Sequence, residues 1–598
     1  MRKLGNLLEV LNLNNATQKL EDNSKSFAKT LNYFIEQYTQ QYNIETNTLT
    51  IDYRDIEGIF NNEGLKDLFE SKKLEIFREI SKNVEKRIIL QEMPVTHELK
   101  DILSLNIGEV VCFEGVIKSK SEIRPEPNKI TYGCRTCQYE IKRFVQQIDI
   151  DDNSLHPNFC PECGGKNFME IKGETEFIDV VHIKIEEPFE KRIGGNVRNF
   201  ACLIKGPLAH PNQNLYPGDK VQITGILKEI KVERGRTKKG MFVIDVLNQI
   251  GLQTNYKTID ITEEDEKQIL ELAEQPDNFQ KLKDSILPDL IGNDEIKEGI
   301  LCQAFSVEKD DNPKRDVIHI LLAGDPGTDK SQILKRIESL NLKASHAVGG
   351  GTSEAGILGV AIRDEITGSW SIEPGLLPMC NDGLIAFDEL DKTHHVLLGK
   401  FNEAMEQQTV TITKAGNSIT YPCRTIVLAA LNPKNGHFDS YKGVREQIQL
   451  PDSVLDRFDL IYILQDIPNK KKDGKIVRSF GGYGSIKDNL IPDDLLQKYI
   501  NFAKREINPT YSPEAVKLFI EYYNEIRSDC DNVKYIGPRD AEALFRIAKT
   551  IARIELKNVV NEDHAKKAIK ILDDSLKTFY LTERENNVEA LEMNVFDK

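Results

Sequence analysis

At 598 residues, with 29% charged and 39% hydrophobic side chains, the chain is long enough for about four soluble domains with cores of their own. No apolar run approaches the roughly 18 residues that a membrane span needs, and Glu9 interrupts the apolar patch of the N-terminal "MRKLGNLLEVLNLNN", so a signal peptide is not expected and the compartment is the cytoplasm or a nucleus. The net charge of −16 excludes a uniformly basic surface, but it describes the average only and leaves room for local basic stripes.

Residues 1–100 predict a helical subdomain. "SKSFAKTLNYFIEQYTQQY" and "GLKDLFESKKLEIFREISKNVEKRII" carry apolar residues at three- and four-residue spacing. From 101 to 255 the pattern changes to short alternating segments, "EVVCFEGVIKSKSEI", "EFIDVVHIKIEE" and "DKVQITGILKEI", which predict a small β-barrel. The polar run "TIDITEEDEKQ" predicts a linker over 256–279. From 280 to 490 apolar strands ("VIHILLAG", "GLIAFDEL", "TIVLAALNP") alternate with helices, as in an α/β domain with a parallel sheet. Helices return over 491–585, an acidic tail follows at 586–598, and "NKKKDGK" with "FGGYG" marks an exposed loop at 469–484.

Four of the ten cysteines form two C-x₂-C pairs, Cys134 with Cys137 and Cys160 with Cys163. Paired thiolates at this spacing suit tetrahedral Zn²⁺, and four cysteine ligands close the site, making it structural. The insertion that carries them spans about 130–170. Cys112, Cys202, Cys302, Cys380, Cys423 and Cys530 have no such pairing and are expected to be small core residues.

The strand at Val317–Leu322 runs into "GDPGTDKS": Gly324, Asp325, Pro326, Gly327, Thr328, Asp329, Lys330 and Ser331. A phosphate loop of this kind wraps backbone N–H groups around a polyphosphate, with the lysine on the terminal phosphates and the hydroxyl on Mg²⁺. Asp329 stands where the pattern has its last glycine. Further along, "GLIAFDELDK" ends a strand on Asp388 and Glu389, one carboxylate to hold hydrated Mg²⁺ and one to orient the attacking water. Asn432 ends the next strand, placed for a γ-phosphate or its water. Arg457 precedes another strand and Arg539 opens a helix; the planar guanidinium suits developing phosphoryl charge. In this order the set describes an AAA+ ATPase, whose sites form between subunits.

The stretch "GDPGTDKSQ…EAGILGVAIRDEITGSWSIEPGLL…DGLIAFDELDK…NEAMEQQTVTITKAG…LAALNPKNGHF…DRFDL" resembles the minichromosome maintenance (MCM) family of replicative helicases, of the archaeal type, over roughly residues 90–585. The resemblance implies a multidomain fold: a helical N-terminal segment, an OB-type β-barrel with a zinc ribbon, and an AAA+ α/β ATPase domain with a helical lid. It implies ATP, Mg²⁺ and Zn²⁺ as cofactors, single- and double-stranded DNA as partners, and a homo-hexamer or double hexamer. The compartment would be nucleoid-associated cytoplasm in a prokaryote, or a nucleus.

Residue by residue, Lys330, Ser331, Asp388, Glu389 and Asn432 would form the cis half of the ATP site. Arg457 would be the arginine finger and Arg539 the sensor-2 arginine, both reaching a neighbour's nucleotide. Lys414 would lie on a presensor hairpin contacting the DNA backbone, and residues near 349–371 would form a second pore insert. In the barrel, "KEIKVERGRTKKG" (228–240) offers a basic hairpin with Lys228, Lys231, Arg234, Arg236, Lys238 and Lys239, which would hold phosphates without reading bases. Arg124 sits where the family's barrel contacts single strands.

Two rivals follow from the residues. One is another AAA+ motor of chelatase type, against which the cysteine-bearing barrel and "KAG" count. The other is a catalytically weak DNA-binding ring or scaffold, resting on Asp329. Its carboxylate has three dispositions: inward against the phosphates, outward, or capping the following helix, of which outward or capping is expected. Because relatives carry Ala there, glycine's special dihedrals are expected to be dispensable.

Overall fold

The computed structural model describes residues 42–43, 48–55, 87–144, 156–188, 198–210, 216–234, 237–252, 261–307, 315–341, 343–363, 370–414, 417–439, 441–466, 468, 474, 477, 490–528, 537–577 and 579, with the backbone alone at 42–43, 48–49, 87–88, 144, 172, 230–234, 237–240, 252, 371, 417 and 528. They divide into two compact units, 1–252 with 362–373, and 253–361 with 374–598.

The expected helices of 1–100 lie almost wholly outside the described residues. The described part is instead a three-stranded sheet of β1 (Tyr42–Asn43), β2 (Thr48–Asp52) and β3 (Arg87–Gln91), with β2 and β3 parallel. Residues 87–89, placed in the second helix by spacing, are therefore strand. "RIILQ" and "TLTID" are rich in β-branched residues, and pairing seals Ile51 and Leu90 completely.

The barrel forms as expected. Its strands are β4 (Val110–Lys120), β5 (Arg124–Cys134), β6 (Glu140–Phe144), β7 (Phe168–Glu170), β8 (Glu176–Glu186), β9 (Asn199–Lys205), β10 (Lys220–Arg234) and β11 (Thr237–Leu252). The ladder runs β4-β10-β11-β9-β8, and β8 pairs back onto β4, so five strands close on themselves and leave no free edge. Val111, Phe113, Ile117, Val181, Ile183, Ile223 and Ile244 fill the interior. β5 extends out of the ring, carrying β6 and β7.

The linker expected over 256–279 is helical from 263, with helices at Glu263–Ala273 and Asn278–Ile286. Thr262 accepts from the Asp265 N–H at 3.2 Å, Asp265 answers with its carboxylate, and four acids crowd the first turn, where the helix dipole favours them. The acidic run is a helix start.

In the second unit β12 (Ile320–Gly324), β13 (Ala344–Val348), β16 (Leu384–Asp388), β19 (Ile426–Leu431) and β20 (Leu460–Leu464) form a parallel sheet in the order β13-β16-β19-β12-β20. β14 (Gly359–Arg363) and β15 (Trp370–Pro374) pair with each other, as do β17 (Thr409–Lys414) and β18 (Asn417–Pro422). Ile320, Leu322, Ala386, Leu428, Ala430 and Tyr462 are sealed in the core. The lid contains helices Asp493–Glu506, Pro513–Ser528 and Pro538–Ile554, and residues 562–577 are helical. The loop at 469–484 and the tail at 586–598 lie almost entirely outside the described residues. Among the described residues no helix is long and apolar enough to cross a membrane.

Candidate nucleotide site and four-cysteine cluster

Because β16, β19 and β12 are consecutive in a parallel sheet, their carboxyl ends bring three distant sequence segments to one edge, where open α/β sheets bind ligands. β12 ends on Gly324 and feeds the loop 325–329, and the helix Lys330–Leu340 follows. A Cβ at Gly324 would lie 2.7 Å from that of Leu464, so only glycine lets the loop leave the sheet here; Gly327 has φ +83. Asp325 is buried, and its carboxylate accepts from the N–H groups of Phe438 at 2.8 Å and Asp466 at 3.0 Å, tying the loop to the segments that follow β19 and β20. The sequence places Asp325 among the cofactor-binding residues of the phosphate loop. Its carboxylate serves as the loop's anchor, and no sequence signal names those partners.

The Lys330 ammonium donates to the carbonyls of Gly324 at 2.7 Å and Asp325 at 2.6 Å and reaches Thr328 Oγ1 at 3.3 Å. Burial pushes its pKa down, opposed by the Asp388 and Asp325 carboxylates. Ser331 Oγ donates to Asp388 Oδ2 at 2.6 Å, joining residues 57 positions apart. The other Asp388 oxygen accepts the Glu389 N–H at 2.9 Å. Glu389 adopts φ +55, turning its side chain out of the strand direction, and pairs with Lys392 at 2.6 Å. The Asn432 N–H donates to Asp391 at 3.3 Å. Lys392 and Asp391 were not foreseen, although both sit in the "DELDK" run.

Asp329 corrects one expectation. It adopts φ +59 and ψ 11, the left-handed region, so glycine-like dihedrals are what this position uses. Aspartate tolerates them better than most side chains. The carboxylate makes no bond to the helix's free N–H groups, so the capping disposition is absent. It is exposed and borders a hollow lined by Leu287, Leu290, Gln332, Ile333 and Arg336. Alanine at this φ adds strain of roughly 1–2 kcal/mol, so glycine is the cleaner probe. Asp329→Gly is expected to lower the ATP dissociation constant about threefold to tenfold, roughly 0.6–1.4 kcal/mol, in an equilibrium titration, with the maximal rate unchanged. An unaltered affinity would mean that the carboxylate does not feel the phosphates.

Arg457 and Arg539 are not left free in the protomer. Both pair with Glu406, at the end of the helix His395–Gln407, Arg539 at 3.1 Å. Glu406 was not singled out in the sequence. Lys414 ends β17, donates to the Gly359 carbonyl at 2.9 Å and lies 3.7 Å from Glu354. The first unit's basic candidates divide. Arg124 is exposed at the start of β5. The β10–β11 ladder carries Lys231, Arg234, Lys238 and Lys239 to Arg234↔Thr237, and Arg236 lies outside the described residues. Lys228 is withdrawn from the basic set: it is buried and pairs with Asp245 at 2.8 Å.

Cys134 ends β5, and its sulfur lies 3.5 Å from that of Cys163, while Cys137 lies 3.5 Å from Cys160. All four sulfurs fall within 4.8 Å of one another. Bonds of about 2.3 Å to a tetrahedral ion put thiolates about 3.8 Å apart, so the donor set and its size fit Zn²⁺. Cys112, Cys202, Cys302, Cys380 and Cys423 are buried, and Cys530 lies outside the described residues.

Residues 98–231, 265–480 and 494–576 match the family models for the MCM OB domain, the MCM P-loop domain and the MCM AAA-lid domain. The chain is 33% identical over 501 residues to the minichromosome maintenance protein MCM of Saccharolobus solfataricus, covering 80% of this chain and 72% of that protein. It is 29% identical over 540 residues to the DNA replication licensing factor MCM4 of Arabidopsis thaliana (83% of this chain, 63% of the relative). Against the DNA helicase MCM8 of Xenopus tropicalis the identity is 28% over 554 residues (80% and 64%). It thus spans less than two thirds of these two eukaryotic relatives, and similarity to archaeal and eukaryotic proteins alike does not single out the archaeal type. The OB barrel, the phosphate loop on a parallel sheet and the lid make this chain a member of the minichromosome maintenance family of AAA+ ATPases and DNA helicases.

Proposed function

We propose that this chain couples ATP hydrolysis to movement along single-stranded DNA and unwinds duplex for DNA replication, as a ring of its own copies. The observation that carries the reading is the Ser331–Asp388 contact of 2.6 Å beside the Lys330 loop. A hydroxyl and a carboxylate meet there at the mouth of a phosphate cradle, the pair that holds Mg²⁺ in P-loop enzymes. The ion would neutralise charge developing on the β- and γ-phosphates.

In this reading the loop amides from Gly324 to Ser331, with Pro326 and Thr328 shaping the turn, hold the phosphates, and Lys330 moves from its loop carbonyls onto the terminal oxygens. The Leu287, Leu290 and Ile333 hollow takes the base. Glu389 orients the attacking water once it parts from Lys392, and Asn432 steadies the γ-phosphate. Arg457 and Arg539 complete the site of a neighbouring copy. Lys414, Arg124 and the hairpin lysines and arginines (Lys231, Arg234, Arg236, Lys238, Lys239) hold DNA phosphates. The scaffold alternative is not favoured: Asp329 is exposed and sits in a conformation that aspartate tolerates.

Single-turnover ATP hydrolysis, with and without single-stranded DNA, tests the reading. Hydrolysis stimulated by DNA and lost in Lys330→Ala supports it; a wild-type chain that binds ATP without hydrolysing it would sink it. Lys414→Ala is expected to keep the ATPase and lose strand separation, with a shallower salt dependence of DNA binding. Loss of ATPase with unaltered DNA handling would mean that Lys414 is misassigned.

The four cysteines would hold one Zn²⁺. Elemental analysis of protein purified without chelator is expected to find about one metal per chain, lost in Cys134→Ser while nucleotide binding persists. A metal-free wild-type protein would remove the zinc reading.

A further inference from the structure

Arg457 and Arg539 come from different parts of the second unit. Arg457 follows the short helix Asp452–Leu455, whereas Arg539 lies in the first turn of the lid helix Pro538–Ile554. One carboxylate joins them: Glu406 accepts from Arg457 through Oε2 and from Arg539 through Oε1, the latter at 3.1 Å. Its backbone is anchored by core packing. The preceding turn buries Phe401, Ala404 and Met405, and Gln408, at φ +56, ends the helix by donating its N–H to Ala404 at 3.1 Å.

Two guanidiniums on one carboxylate repel less than two left bare, and their combined charge still exceeds that of the carboxylate, leaving an excess positive charge for an incoming phosphate. A long arginine side chain otherwise samples many rotamers, so a fixed anchor reduces what must be ordered when the phosphate arrives. Glu406 and Arg539 are about half exposed, at 48% and 47%, so their bond adds little to folding stability. Both arginines are thus oriented by one group.

We propose that Glu406 is a positioning residue that holds Arg457 and Arg539 side by side so that both address one phosphate group on a neighbouring copy. This rests on the shared-site reading above.

The test uses full-length protein carrying Glu406→Ala, Glu406→Gln or Glu406→Asp. Steady-state ATP hydrolysis, ATP affinity and thermal unfolding are measured, and the alanine change is repeated on an Arg539→Ala background. The turnover number is expected to fall about tenfold to a hundredfold in Glu406→Ala, with ATP affinity within about twofold and the unfolding temperature unchanged. Glu406→Asp should recover part of the rate and Glu406→Gln little, because an amide nitrogen would face a guanidinium. On the Arg539→Ala background the alanine change should cost clearly less. Mixing Glu406→Ala with Lys330→Ala subunits should restore activity, since the first retains a whole cis half.

Wild-type turnover in Glu406→Ala, while Arg457→Ala is inactive, overturns this proposal alone. A full multiplicative loss on the Arg539→Ala background, or a fall in unfolding temperature with weakened ATP binding, overturns it in favour of a packing role. Wild-type turnover in Arg457→Ala overturns the shared-site reading, and this proposal with it.

Discussion

Arg457→Ala is expected to abolish ATP hydrolysis while leaving ATP binding intact. Finger arginines in phosphoryl-transfer enzymes contribute roughly 10³–10⁵ in rate by meeting charge that develops only in the transition state. The groups that bind the ground state, Lys330, the loop amides and the Ser331–Asp388 pair, lie on other elements and are untouched. Arg457 is therefore separable from binding. Mixing Arg457→Ala with Lys330→Ala subunits should recover activity, because one type of interface then has both halves. The readout is turnover as a function of mixing ratio with co-assembly verified by size. A flat line at zero would show that each subunit's site is complete without its neighbour.

Asp459→Ala is expected to cause the largest loss of stability. The Asp459 carboxylate is almost completely buried and accepts from Arg315 at 2.8 Å, from Arg546 at 2.7 and 3.1 Å, and from the His319 N–H at 2.8 Å. Arg546 belongs to the lid helix and is itself only 5% exposed. Removing the carboxylate takes the nearest counter-charge from Arg315 and from the buried Arg546, which keeps the more distant Glu542 at 3.5 Å, and breaking a buried pair costs roughly 3–5 kcal/mol. For a unit of this size that lowers the unfolding temperature by about 4–7 °C. Burial alone would raise the Asp459 pKa; Arg315 and Arg546 outweigh it and hold the carboxyl below its ordinary value. With the folded pKa depressed, the contribution is complete above the unfolded carboxylate's pKa near about 4 and is lost as pH falls further. The wild-type protein should therefore lose stability on acidification, and Asp459→Asn should show a flatter acid limb by thermal unfolding. Equal unfolding temperatures for wild type and Asp459→Ala at neutral pH would mean that the lid and the sheet are not joined through this group.

Local pattern was sufficient for several features. The strand-loop-helix around "GDPGTDKS" is a chemical necessity of binding a polyphosphate with backbone amides, so its residues are contiguous and visible. The two C-x₂-C pairs are legible for the same reason, since each knuckle is a local turn, and the barrel's alternation reports one buried face per strand. Asp388-Glu389 and Asn432 were placed by the ends of apolar runs, which coincide with strand ends because a parallel sheet is buried on both faces. Within the α/β unit the acidic start at Thr262 was also readable, but its charge was taken for a linker instead of a capped helix.

Tertiary structure alone decided what side chains do once they meet partners far away. Asp325 looked like one more loop residue, yet its carboxylate is spent on backbone groups 113 and 141 positions later. Lys228 carried the same charge in sequence as its neighbours, but the barrel's closure buries it against Asp245 and removes it from the hairpin's field. Asp329 was weighed as a charge, whereas the loop's path also demanded a left-handed backbone. Glu406 carried no motif-level role of its own, because only folding brings Arg457, 51 residues on, and Arg539, 133 residues on, to one carboxylate. Pattern records what a residue needs from its immediate neighbours along the chain; the competition among charges for partners is settled only after distant segments have packed, because Coulomb and hydrogen-bond energies depend on separation in space.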